Sequence, residues 1–353
     1  MPIGQNGQHR REFLVGINYF SGWWRSLPNK YVVDAIDWRS DYPERVALLG
    51  CYNDQETMDH EIIAASEHTV DFFLMLWYPP EVTEEPYVAR LNEGIRQFLR
   101  SPENHRMCFA VEFCNHPPFA VRDSNVWDKH CEDWVQWMLH PSYLRVGGKP
   151  IFKIHSLRYW LAQCLGSVEL ASQRIDRMRD IARSNGLSLL IGGGVMAFEP
   201  YDVEMRALAR AVDFLASYMD VPDADGDAGD HPYQNLIDFA ERGWIHHATE
   251  SVAAYMPYLP AGWNPKPWHD PRPSFAFPDS SQWVAALTRI KDALNRYPRL
   301  RVPDATSVGQ KIFNIYAWNE FGEGGIVAPT IGDGWMKLEG IRSVFGEEAL
   351  SSP

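Results

Sequence analysis

The sequence predicts an α/β protein of the (β/α)8 TIM barrel class, a single domain over residues 1–353 with long βα loops and a flexible N-terminal segment over 1–11. Three observations predict it. Eight short apolar runs, rich in β-branched and aromatic residues, recur along the chain, and each is followed by a loop and then a stretch with helical periodicity. No run leads into G-x-G-x-x-G, since I-G-G-G at 191–194 lacks that spacing, which counts against an open doubly wound sheet. No repeat, low-complexity tract or linker-like composition shift divides the chain.

The expected strands are FLVGINYF (13–20), VDFFLMLWY (70–78), MCFAVEFC (107–114), PIFKIHS (150–156), LSLLIGGG (187–194), VDFLASYM (212–219), VAAYMPYLP (252–260) and KIFNIYAW (311–318). Helices are expected over 54–68, 86–100, 127–139, 168–185, 200–210, 233–243, 280–297 and 335–345. Near-continuous apolar strands alternating with amphipathic helices require a parallel sheet covered by helices, and eight such units close into a barrel. The long loops at about 21–53, 220–232 and 261–279 all follow strand C-termini, the face on which barrel enzymes assemble their sites.

Composition excludes some functions. A formal charge of −13 opposes binding to nucleic acid, where affinity rests on cations neutralising phosphates. The N-terminus M-P-I-G-Q-N-G-Q-H-R-R-E has no apolar h-region and no apolar run reaches spanning length, so no membrane partner is expected, and a cytoplasmic location follows unless a signal has been removed. Five cysteines (Cys51, Cys108, Cys114, Cys131, Cys164) form no C-x-x-C pair and read as free thiols. D-A-D-G-D-A-G-D (223–230) spaces Asp223, Asp225 and Asp227 like a calcium loop, but the twelfth position is Gln234 rather than a bidentate glutamate, so it reads as an acidic loop. No metal and no cofactor are expected. The 14 Trp are open to two readings, sugar-stacking faces or core filling.

The chemistry concentrates at the end of the last strand, in A-W-N-E-F-G-E-G-G (317–325). By the period of two, Asn314, Tyr316, Trp318 and Glu320 share the face toward the barrel axis, which puts Glu320 at the mouth. Glu323 lies in a Gly-rich turn that can swing it back toward Glu320. Two carboxylates at one mouth suit glycosidic bond cleavage, in which one protonates the leaving oxygen and the other works ionised.

W-N-E-F-G-E-G-G resembles the W-N-E-W-x-E-G motif of glycoside hydrolase family 99 and of the related WbsX-like proteins. Y-L-R-V-G-G-K-P-I-F-K-I-H-S (143–156), M-P-Y-L-P-A-G-W-N (256–264) and W-M-K-L-E-G-I-R (335–342) are similar to further segments of that group, in the same order. The resemblance implies a retaining glycosidase with an oligo- or polysaccharide substrate. Glu320 would act as base on the sugar's own 2-hydroxyl, giving a 1,2-anhydro intermediate, and Glu323 as acid and then base at the leaving group. Phe321, Gly322 and Gly325 depart from the motif's usual Trp, His and Thr, changes that bear on which sugar is bound.

Other candidates for substrate binding end the remaining strands: Asn18 and Tyr19, then Trp23 and Trp24, on or after strand 1; Trp77 with Tyr78 at the end of strand 2; Glu112 on strand 3; His155 on strand 4; Tyr218 on strand 6; Trp263 and Asn264 after strand 7; Trp318 and Asn319 beside the glutamates. Each has a plainer alternative. Glu112 can pair internally with Lys153, His155 can satisfy a barrel-top hydrogen bond, and the aromatics can plug the long loops. An inactive carbohydrate-binding barrel and a glycosyltransferase are the alternative functions; the latter would need a nucleotide-sugar site that the sequence does not show.

Overall fold

Each of the eight apolar runs forms a strand, and every barrel pairing is parallel. The computed structural model describes residues 11–82, 87–222, 230–306 and 308–346. Most of the acidic 223–230 loop, and residues 1–10 of the expected flexible segment, therefore lie outside the described residues. The barrel strands are β1 (Phe13–Tyr19), β2 (Phe72–Trp77), β3 (Cys108–Phe113), β4 (Lys149–Ile154), β5 (Leu190–Gly194), β6 (Phe214–Ala216), β7 (Ala254–Met256, resuming as Tyr258–Pro260) and β8 (Lys311–Tyr316). Neighbours pair in sequence order, and β1 meets β8 from Phe13↔Lys311 to Ile17↔Ile315. Closure falls to β7: its first half pairs with β6 (Tyr255↔Leu215) and its second with β8 (Leu259↔Ile315). Pro257 stands at the changeover, where a missing N–H costs no ladder bond, and its carbonyl accepts from Asn314 N at 3.0 Å.

Around the sheet run α1 (Gln55–Glu67), α2 (Glu93–Arg100), α3 (Ser124–Met138), α4 (Leu157–Gln163), α5 (Val168–Ser184), α6 (Val203–Ala211), α7 (Tyr233–Glu250), α8 (Ser280–Arg296) and α9 (Met336–Phe345). Most begin on a residue that turns a loop into a helix: Asp54, Asp123, Ser156, Ser167, Asp202 and Asp279 each accept a backbone N–H of the first turn. Asp279 and Gln282 complete a reciprocal capping box. Short α4 was not expected from the sequence; the Ser156 cap is its local signal. The helix expected over 86–100 is a 3-10 turn (Val88–Asn92) running into α2. The one expected to stop at 243 continues to Glu250, because Leu236, Ala240, Trp244 and His247 keep a single buried face.

The layer between sheet and helices consumes much of the tryptophan. Trp127, Trp134 and Trp160 interlock with Phe113 and Phe152, with ring centroids 4.6–6.4 Å apart, and Trp244 and Trp283 are likewise fully buried. Truncating one of these to Ala would cost about 3–5 kcal/mol. No helix among the described residues is long and apolar enough to cross a membrane.

Candidate active site

β8 stops at Tyr316, the Tyr316–Ala317 peptide is cis, and the chain then folds back as a tight hairpin, Asn319–Glu320 against Gly325–Ile326. The carbonyl of Glu320 accepts from Glu323 N (3.1 Å) and Gly324 N (2.8 Å), which closes the turn and returns Glu323 to the side of Glu320. Two glycines make this possible. Gly324 has φ +83°, and a Cβ on Gly322 would lie 2.1–2.5 Å from the indole of Trp268, which covers the turn. Glu320 and Glu323 line one cavity of about 220 Å³ at the C-terminal mouth of the barrel, together with Tyr218, His155, His116, Trp268 and Lys30.

Both carboxyls are held by tyrosines. Tyr218 donates to Glu320 Oε1 at 2.7 Å, and Tyr316 donates to Glu323 Oε2. The rings of these two tyrosines meet edge to face at 5.0 Å. Burial, then the neighbouring Glu323, push Glu320 well above the usual carboxylate range. Burial also raises Glu323, although Tyr316 and the Arg272 guanidinium, 3.9 Å away, pull the other way. Burial and the nearby glutamates push both tyrosines upward, so they remain neutral donors. The result is a carboxyl pair in which burial and mutual repulsion favour keeping a proton where ordinary glutamates are ionised.

Beneath the cavity lies a different polar group. Glu112 on β3 accepts from Lys153 Nζ at 2.7 Å, lies 2.7 Å from His155 Nδ1, and takes Asn18 Nδ2 at 3.0 Å, all within the barrel. Asn314 in turn donates to Asn18. Burial opposes the charge on Glu112, but Lys153 and His155 outweigh it and bring its pKa down to about 2. With Glu112 an obligate acceptor, His155 Nδ1 carries a proton and its Nε2 is left for the cavity. Lys153, the internal partner considered from the sequence, is thus in place.

The structure separates the other candidates. His155 and Tyr218 reach the cavity; Asn18 and Glu112 lie below it. Tyr19 faces the helices and donates to Glu61 of α1 at 2.7 Å. Trp318 does the same through Nε1 at 2.8 Å, correcting the expected axial position: alternation holds only within an extended strand, and β8 ends two residues earlier. Trp77 packs outward on Trp134 and His130, while its neighbour Tyr78 faces the cavity. Trp23 plugs the first loop, its Nε1 on Asn319 O at 2.8 Å and its ring against Tyr31 and Phe321. Asn319 itself clasps the backbone of Phe20 through both amide atoms, each at 2.8 Å. Trp24 packs on Tyr87 at the rim. Trp263 lies under the Arg272 guanidinium, 4.3 Å from its ring centre, and 6.0 Å from Tyr316. Asn264 turns to Arg45 rather than into the cavity.

Sequence reasoning missed Lys30, His116, Phe119, Trp268 and Arg272, which come from loops without a periodic signal. Among the described residues no group of three or more His, Cys, Asp or Glu could hold a metal ion.

No family model matches the chain, and no curated protein matches it. Solved structures do match in fold. A glycoside hydrolase-like protein aligns over 96% of this chain and 95% of its own, with a TM-score of 0.66 and 14% identity. The GH99 endo-alpha-mannosidase from Bacteroides thetaiotaomicron aligns over 94% and 95%, with a TM-score of 0.55 and 15% identity. An exo-beta-1,4-mannosidase from Opitutaceae bacterium strain TAV5 aligns over 98% of this chain but 63% of its own, with a TM-score of 0.53 and 10% identity. By fold, this chain is a single (β/α)8 barrel similar along nearly its whole length to that glycoside hydrolase-like protein and to the GH99 endo-alpha-mannosidase.

Proposed function

We propose that the protein is a glycoside hydrolase acting on an oligo- or polysaccharide, with Glu320 and Glu323 as its catalytic pair. One observation carries the reading: two buried carboxyls, each with a tyrosine donor and a raised pKa, face one cavity at the C-terminal mouth of the barrel. The fold likeness to glycoside hydrolases supports it, and the aromatic wall of Tyr78, Phe119 and Trp268 suits the C–H faces of a sugar ring.

In the retaining route that the motif implies, Glu320 takes the proton of the sugar 2-hydroxyl, O2 attacks C1, and the C1–oxygen bond breaks while Glu323 gives its proton to the departing oxygen. Water then opens the 1,2-anhydro ring at C1. Glu323 takes the water's proton, and Glu320 returns a proton to O2. Two buried carboxyls side by side titrate as a pair, so one can stand ionised while the other keeps its proton, as the two roles require.

A glycan-library screen with NMR of the products tests this. Cleavage with retention at the anomeric centre, lost in Glu320→Gln and Glu323→Gln, is the expected result. Binding without any product would favour the non-catalytic carbohydrate-binding barrel instead.

A further inference from the structure

The turn that carries Glu323 is gripped from outside the cavity by a residue nearly 280 positions earlier in the chain. Arg45, in the 3-10 turn Pro43–Arg45 of the first loop, is 3% exposed. Its Nη1 donates to Asn264 O (2.9 Å) and Phe321 O (3.1 Å), and its Nη2 donates to Asn264 Oδ1 (2.9 Å). Asn264 N in turn donates to the carbonyl of Glu323 at 2.6 Å. Arg45 therefore holds the glutamate turn twice, directly at Phe321 and through Asn264 at Glu323 itself.

A buried cation is costly unless a specific task requires it. The carboxylate beside Arg45, Glu44, is 44% exposed and stands 3.6 Å from Nε, so the two terminal nitrogens spend their protons on neutral oxygens. Tyr42 and Phe277 flank the guanidinium at 4.8 and 5.3 Å. Burial pulls its pKa down to about 10. The oxygens it satisfies belong to two loops of irregular backbone that bring no regular partners of their own.

We propose that Arg45 is a positioning residue for Glu323, fixing the reach of that carboxyl toward the leaving oxygen. This rests on the glycosidase reading above. A planar fork serves three oxygens on two segments at once; an ammonium on a flexible stem cannot hold the same spacing. Loss of the grip therefore displaces the acid while leaving the barrel and Glu320 in place.

A misplaced acid matters most when the leaving group needs a proton. The test compares Arg45→Lys and Arg45→Met with wild type on two substrates of the sugar found by the screen, one with a sugar alcohol as leaving group and one with 2,4-dinitrophenolate. kcat/KM covers binding and the first bond-breaking step and is blind to the later hydrolysis of the intermediate. It should fall about 100-fold for the sugar leaving group and stay within about 3-fold for dinitrophenolate. Circular dichroism checks folding, and Arg45→Lys, which keeps the charge, is the deciding variant should Arg45→Met not fold. Equal losses on both substrates, or no loss on either, would overturn the inference alone. A wild type inactive on both would overturn the glycosidase reading, and the inference with it.

Discussion

Glu112 and Glu320 are both buried glutamates inside one barrel, and their pKa values are shifted in opposite directions. Glu112 has Lys153, His155 and Asn18 around it, and its pKa lies at about 2. Glu320 has a neutral tyrosine and a second carboxyl, and burial raises it well above its ordinary 4.5. The same side chain in the same fold is thus a fixed anion on the floor and a proton-binding group at the mouth. What differs is compensation: burial that is matched by a cation and donors builds structure, and burial that is left unmatched builds reactivity.

The largest effect should come from the mouth. Glu320→Gln and Glu323→Gln should each lower turnover of the screened glycan by about 10²–10⁴-fold, the usual worth of an acid or base, with the fold intact by circular dichroism. An active variant of either kind would place the chemistry elsewhere.

The floor should answer in stability instead. Lys153→Met strands the Glu112 charge and should cost about 3–5 kcal/mol in urea melts, and the Glu112→Gln/Lys153→Met double variant should recover part of it. If the single and double variants melt alike, the ion pair does not hold the floor.

Opposite pH dependence sharpens the contrast. Glu112, depressed in the fold, contributes stability above its unfolded value of 4.5 that is lost as pH falls toward about 2. Glu320, raised in the fold, contributes stability that is fully present below 4.5 and lost as pH rises through its folded value. Glu320→Gln should therefore melt higher than wild type at pH 8, with the gain vanishing near pH 4. A gain that persists at pH 4 would need another cause.

The smallest effects are shifts of the bell-shaped rate profile, whose limbs should lie above 4.5 because both glutamates are raised. Both limbs belong to the coupled pair. Tyr218→Phe removes a donor from Glu320, Tyr316→Phe removes one from Glu323, and each should move the profile toward higher pH. A profile that neither variant moves would mean that this pair does not set it.

Much of this was legible in the sequence because strand chemistry is local. Eight apolar runs gave the barrel, and the period of two pointed Lys153 and His155 into it; Glu112, expected near the mouth by its place at the end of its strand, lies below the cavity instead. The W-N-E-F-G-E-G-G stretch placed both glutamates at a strand end. Parity was followed too far at Trp318, which lies beyond the end of the last strand.

By itself, then, the sequence determined which residues form strands, which faces they present, and that two carboxylates leave the last strand together. Only the tertiary structure decided what surrounds them. Lys30, Arg45, Trp268 and Arg272 reach the glutamate turn from loops 50 to 290 positions away in the chain. Such contacts depend on how closed strands bring distant loops to one rim, and no local periodicity encodes that. The same closure decides which buried carboxylate finds a cation and which is left to bind a proton.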